Sequence, residues 1–445
     1  MKYSIIILIT QLLLWGCCRS ERSILESFYK ALDGDKWEHK ENWLSDKPLN
    51  EWYGITTDEE GKVVKIQLSD TMMGKVPANL KYLKKLQSLH LNCIAGGIRL
   101  EANNYPSLKE LGLHGYINQL TVENCSELEK LSLTSRYFDA FHVDSCPKLS
   151  SLELIGHNIS DTTKRELDLS PFPKLSELKI YYLALDQLHI NNCFNLKKIN
   201  IYNCQLEELD LSSCAANLEY LKVSGNDSLH ILDLSRCVTL DSIDVSGNSI
   251  TQLDISNCKK LRYLDCSDNK ISKLDVGNFK ELKHLYCDRN NLSELNVSKC
   301  KELKKLACGS NNLSELDVRQ NSKLYFIECS CNNLSELNVR HNSRLHFIDC
   351  GYNNLRSIDL SKNQELEDFR CEDSPIKELD ISHCPKLEHI NIYGSQITTI
   401  DISHLDKLYY FKAYCSSLKT IWVSKNFEPM DMWFIEDDVV CKTKQ

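Results

Sequence analysis

The sequence predicts a solenoid of short parallel β-strands, and three observations carry that expectation. Leucines recur every 21 residues at Leu261, Leu282, Leu303, Leu324, Leu345, Leu366, Leu387 and Leu408. Within each unit, apolar and polar residues alternate with period two, as in Leu264-Asp265-Cys266 and Leu274-Asp275-Val276, which places the apolar members inside and the polar ones outside. Neither half of the unit carries the long 3.6-residue periodicity of a helix. Each turn is therefore expected to hold two short strands on opposite faces, stacked into two parallel sheets at about 4.8 Å per turn. Outer helices, about 10 Å wide, would bend such a stack; strands on both sides remove the mismatch, so a weakly curved solenoid is expected.

The elements follow in chain order. Met1-Lys2 precedes an apolar run from Ile5 to Leu14, broken only by Thr10 and Gln11, and then Trp15-Gly16-Cys17. A charged start, a short apolar core and a small residue before the cut describe an export signal over residues 1–16, too short for a permanent membrane span. Leu14-Trp15-Gly16-Cys17 resembles the lipobox of bacterial lipoproteins, which implies lipidation of Cys17 as the first mature residue. The alternative is an ordinary signal peptide cut near Arg19. No other stretch could cross a membrane.

Residues 17–62 are read as the lipidated amino terminus and an aromatic cap. Ile24, Leu25, Phe28, Tyr29 and Leu32 fall on one helical face before Gly34, and Trp37, Trp43, Trp52 and Tyr53 follow. Those four aromatics could form a sugar platform, but sealing the exposed edge of the first turn is the favoured reading. Residues 63–420 form the array of about 17 units, with a longer unit from Leu149 that carries an insertion near Asp161–Arg165. Residues 421–445 read as a closing segment, in which Trp433 and Phe434 cover the last turn.

The array resembles the leucine-rich repeat family, whose segment LxxLxLxxN/CxL forms a strand and then turns inward. More narrowly it resembles the nested 21-residue class of bacterial surface proteins, in which the second half of a unit repeats the first. Ile243, Val245 and Asn248 are matched there by Leu253, Ile255 and Cys258. The run Gly34–Val63 is similar to the amino-terminal cap of plant-like and bacterial members, and Met73-Gly74-Lys75-Val76-Pro77 to a plant-type first repeat. Taken together, the chain resembles a bacterial leucine-rich repeat surface lipoprotein.

Twenty-one cysteines in an exported chain would ordinarily suggest a disulfide framework. The register suggests two ladders instead. Cys266, Cys287, Cys308, Cys329, Cys350 and Cys371 take the inward slot held elsewhere by Val245 or Ile201. Cys125, Cys146, Cys193, Cys214, Cys237, Cys258, Cys300 and Cys384 take an inward slot that Asn321, Asn342 and Asn363 fill in other units. A metal row or a disulfide zipper is the functional reading. Packing is favoured over both, because thiols stacked in parallel face the same way, which suits neither tetrahedral zinc nor the disulfide torsion. Asn269, Asn290, Asn311, Asn332 and Asn353 are expected to pair with backbone groups buried by the inward turn.

Binding is expected on the outward slots of the first strand. Tyr263 with Asp265, His284 with Tyr286, Phe326 with Glu328 and Phe347 with Asp349 combine aromatics with acids, a mixture suited to a protein-binding surface. Cross-strand pairs that merely stabilise neighbouring turns are the bland alternative. The second-half ladder of Asp254, Asp275, Asn296, Asp317, Asn338, Asp359, Asp380 and Asp401 could hold calcium. Asn296, Asn338, Arg319 and Arg340 dilute its charge and favour a solvated scaffold.

A formal net charge of −9 without blocks of either sign argues against nucleic acid. There is no phosphate loop, GxSxG elbow, HExxH or CxxC pair, so no catalytic residue, metal site or cofactor is assigned. The expectation is a monomeric, non-enzymatic adhesion module of the cell envelope, on the outer membrane and surface-exposed, that binds protein and touches membrane only through its lipid. A glycan-binding accessory lipoprotein and a periplasmic assembly scaffold are the alternatives.

Overall fold

The computed structural model describes residues 20–135, 141–156, 165–415, 417–425 and 432–444. The export signal and Cys17 lie outside these residues, as does all of the expected 161–165 insertion but its last residue. The chain falls into two units, one running to Ala184 and including Asn192–Leu196, the other comprising Leu185–Asn191 and everything from Lys197.

The first unit begins with the only α-helix among the described residues, Glu21–Ala31, capped by the Ser20 side chain accepting the Ser23 amide. The helix buries Ile24, Leu25, Phe28 and Tyr29 against the segment that follows. Trp37, Trp43 and Trp52 are buried there, with ring centroids 5.4 Å apart for Trp37–Trp43 and 5.1 Å for Trp43–Trp52. Three of the four aromatics flagged by sequence thus have no open face for a sugar; Tyr53 alone is exposed.

Parallel strands then stack in register: Leu89 of Ser88–Asn103 pairs with Leu111 of Glu110–Glu123, then Leu131, Leu152 and Leu178 in the next three strands. The strands Val63–Lys75, Ser88–Asn103 and Glu110–Glu123 are long because they continue round the corner onto the second side, where Leu120 pairs with Phe141. Gly115 makes that corner at φ +93°, and a Cβ there would lie 2.1 Å from the Cys93 carbonyl oxygen.

In the second unit, three-residue strands pair parallel without a register slip from Ser242–Asp244 through His389–Asn391. Their middle residues (Ile243, Leu264, Leu285, Leu306, Ile327, Ile348) are fully buried. The second strand expected in every half-repeat is formed only in part. In this unit it pairs as a sheet at Thr399–Asp401, Thr420–Val423 and Val440–Thr443. From 206 to 397 the second half keeps the in-out alternation but forms no strand. Thr, Ile and Trp in the pairing segments favour a pleated ladder, whereas the central units place Ser293-Glu294, Ser314-Glu315 and Ser335-Glu336 there, and Glu is depleted in strands.

The inward asparagines replace backbone pairing at the turn. Asn311 donates to the carbonyls of Cys287 (3.0 Å) and Cys308 (3.1 Å), while its oxygen accepts the Leu292 amide (2.9 Å). Asn269, Asn290, Asn332 and Asn353 repeat this arrangement. The cysteines of both ladders are buried and unpaired as disulfides. In the second ladder Cys300 donates to the Val276 carbonyl at 3.3 Å, and Asn321, one turn on, donates to Val297 at 3.0 Å. Both reach 24 residues back, which explains why thiol and carboxamide exchange at this slot.

Candidate functional site

The strand register brings the eight sequence-assigned residues onto one outward face of the second unit. Tyr263 lies opposite His284 and Asp265 opposite Tyr286; Phe326 lies opposite Phe347 and Glu328 opposite Asp349. The turn between these two groups contributes Lys305 and the small Ala307. All eight side chains are half-buried, packed against their cross-strand neighbours in the outward rows.

The aromatics pack on one another. Tyr263 meets His284 edge-on at 6.1 Å and Tyr286 at 5.7 Å. Phe326 and Phe347 stack with centroids 4.5 Å apart and planes 7° apart. Two cations close that stack: Lys305 Nζ lies 5.7 Å from the Phe326 centroid and the Arg370 guanidinium 5.1 Å from that of Phe347. Further along, His389 stacks on Tyr410 at 4.1 Å and sits 2.9 Å from the Asp368 carboxylate, which Arg370 also holds in a two-point contact.

The acids occupy the far margin of the same face. Glu328 accepts the amides of Gly309 (3.1 Å) and Ser330 (3.0 Å), and Asp349 accepts that of Gly351 (3.1 Å). Burial nevertheless pushes the Asp265 and Glu328 carboxyls up, with neighbouring acids adding to the effect, and brings Asp349 to about 6. Asp288 is likewise pushed up to about 6, by burial first and then by Glu328 and Asp265. Sequence reasoning passed over Asp288 because it stopped at the cysteine slot; the alternation runs one outward position further.

The second-half ladder is a different surface. Asp254, Asp275, Asp317, Asp359 and Asp380 each accept the backbone amide two residues on. Arg319 holds Asp317 at 2.8 Å and Arg340 reaches Asp359 at 3.2 Å. An open groove of about 730 Å³ also lies among second-half positions, lined in part by His189, Asp210, His230, Ile231 and Asp233, away from the aromatic face.

Fold and face together define a leucine-rich-repeat solenoid with a structured outward strand surface. The Leucine Rich Repeat family model matches residues 260–282. The chain is similar in structure to the functional domain of InlJ from Listeria monocytogenes, which includes a cysteine ladder: 24% identity, 80% of this chain and 71% of that one covered, TM-score 0.60. It is also similar to a leucine-rich-repeat protein of Leptospira interrogans (17% identity, 85% and 95% covered, TM-score 0.59). A third similar structure is the ectodomain of the Arabidopsis thaliana receptor kinase GASSHO1/SCHENGEN3, in complex with CASPARIAN STRIP INTEGRITY FACTOR 2 (16%, 90% and 58%, TM-score 0.53). No curated protein matches the sequence. No described helix is long and apolar enough to cross a membrane.

Proposed function

We propose that this chain is a non-enzymatic protein-binding module of a bacterial cell envelope, anchored by lipid at Cys17, and that it engages its partner through the face built on Tyr263, Asp265, His284, Tyr286, Phe326, Glu328, Phe347 and Asp349. One observation carries the choice of protein over glycan. A sugar stacks its C–H face on an open aromatic face, whereas Phe326 and Phe347 are covered on both sides, by each other and by Lys305 and Arg370. What remains towards solvent is ring edges, which carry the positive part of the aromatic quadrupole, beside a row of carboxylates. Such a mixture of rigid rings and charges suits a protein surface. The plant receptor ectodomain of this fold, in complex with a named factor, supports the same reading.

The test is affinity capture with the mature chain as bait, beside a variant carrying Tyr263→Ala, Tyr286→Ala, Phe326→Ala and Phe347→Ala. A partner lost by the variant, with its thermal unfolding still cooperative, supports the proposal; identical capture by both chains overturns it. Labelling with a fatty-acid analogue, abolished by Cys17→Ser, tests the anchor, and protease shaving of intact cells tests exposure.

A further inference from the structure

The aromatic face is banded by charge across its width. On the side entered first by the strands stand Lys283 and Lys304, in adjacent turns and both open to solvent at least in part, and Lys305 joins them from the ring row, where it lies between His284 and Phe326. Arg262, one turn earlier, is tied to Glu281 at 3.1 Å and adds little to this margin. The rings of Tyr263, Phe326 and Phe347 hold the middle, and Tyr286 stands in the next row, opposite Asp265. Beyond them stand Asp265, Asp288, Glu328 and Asp349, and cations beside this row are already committed: Lys222 to Asp244 at 2.6 Å, Arg289 to Asp268 at 3.3 Å and Arg370 to Asp368 at 2.8 Å.

Two groups of a single turn register this field. His284 is pushed below the ordinary histidine range, by burial first and then by Lys305, Lys304 and Lys283. Asp288, four residues on, is pushed up by burial, Glu328 and Asp265.

From these positions we infer that the face takes an amphipathic helix of a partner protein, lying along the stack, whose two flanks carry opposite charge: acids against Lys283, Lys304 and Lys305, bases against Asp265, Asp288, Glu328 and Asp349. This inference rests on the protein-binding reading above and adds the chemistry and direction of the ligand. Dimensions favour a helix. Five residues of extended chain separate the Lys283 and Asp288 margins, at most about 16 Å, which a helix about 10–12 Å across can bridge with side chains reaching both ways. A single extended strand is too narrow to contact both margins. Five turns at about 4.8 Å span roughly 19 Å, the length of about 13 helical residues. Because a helix reversed end to end exchanges its flanks, the banding sets the direction in which the helix lies.

The test uses the full mature chain and three fluorescent, side-chain-stapled helical peptides of equal helicity and identical leucine stripe. Their flanks are Glu/Lys, Glu/Glu and Lys/Lys. Fluorescence anisotropy at low salt is expected to show the Glu/Lys peptide binding about tenfold tighter than either other, the combined effect of several solvent-exposed pairs. Lys283→Glu with Lys304→Glu, both surface changes, should transfer the preference to Lys/Lys. Equal binding of Lys/Lys and Glu/Lys to the parent chain, or no binding of any peptide, overturns the inference. Capture by the aromatic face can survive that failure, whereas capture unchanged by the four alanines removes the underlying reading as well.

Discussion

Phe326 and Phe347 stack almost parallel, their centroids 4.5 Å apart, although neither ring is needed to fill the interior. Leu306, Ile327 and Ile348 already fill it beneath them. The pair therefore adds a cross-strand contact on the wet side, of the kind that contributes about 0.5–1.5 kcal/mol beyond area burial. Phe347→Ala is expected to lower the urea unfolding free energy by about 1–2 kcal/mol, and Lys305→Ala by less. A loss above about 4 kcal/mol for Phe347→Ala would make it a core residue and remove it from the binding face.

The carboxamide row should behave differently. Asn311→Ala leaves the Leu292 amide without its buried acceptor and two carbonyls without their donor, so a loss of about 2–4 kcal/mol is expected in the same measurement. At the second-half slot the outcome depends on the replacement. The Oδ1 atoms of Asn321, Asn342 and Asn363 are buried without a partner among the described residues. A thiol supplies a donor there and leaves no orphaned oxygen, as Cys300 does. Asn342→Cys is expected to match or exceed the parent Tm, while Asn342→Ala falls below it. A large drop with Cys would contradict the exchange rule.

Most ladder thiols should be chemically silent while the chain is folded; Cys146, whose contact with Cys125 pulls it below the ordinary thiol range, is the exception. Burial pushes Cys193, Cys237 and Cys300 up to about 11, Cys258 and Cys384 to about 12, and Cys287, Cys308, Cys329 and Cys371 well above the ordinary thiol range. Cys331 and Cys441 are exposed. Alkylation at pH 8 followed by peptide mapping should mark Cys331 and Cys441 in the native protein, and Cys266, Cys287, Cys308, Cys329, Cys350 and Cys371 only after denaturation. Native labelling of Cys308 or Cys329, at the middle of the stack, would show that the interior opens without global unfolding.

The acidic margin gives a pH signature. Asp288 and Asp349 hold their protons up to about pH 6 in the folded chain, against about 3.9 when unfolded. The folded state thus binds more protons than the unfolded state between these values, and stability falls as pH rises from about 4 to 6. Asp349→Asn and Asp288→Asn are each expected to raise the Tm at pH 7.5 and to flatten its decline between pH 4 and 7. A lower Tm for both variants at pH 7.5 would mean that these carboxylates are held by favourable contacts instead.

Much of the repeat was legible because its physics is local and reiterated: the leucine slots, the inward asparagines and both thiol rows follow from alternation and period alone. The missing second strands between 206 and 397 were not legible, because Ser-Glu and Thr-Ile keep the same alternation and differ only in how readily they pair. At the candidate face, outward positions could be read from register, but the covering of Phe326 and Phe347 by Lys305 and Arg370 depends on side-chain direction across turns. Asp288 was not legible because it lies just past the strand His284–Tyr286, beyond the residues whose alternation marks them as outward.

The central claim is that the first-strand face, and not the second-half ladder, meets the partner. Site-specific incorporation of a photo-crosslinking phenylalanine analogue at Phe347, and separately at Asp317, in the full chain on intact cells tests this directly. Irradiation is expected to yield a discrete protein adduct from position 347 and none from 317, which lies on the second-half ladder away from the aromatic face. Adducts from 317 alone would contradict the account.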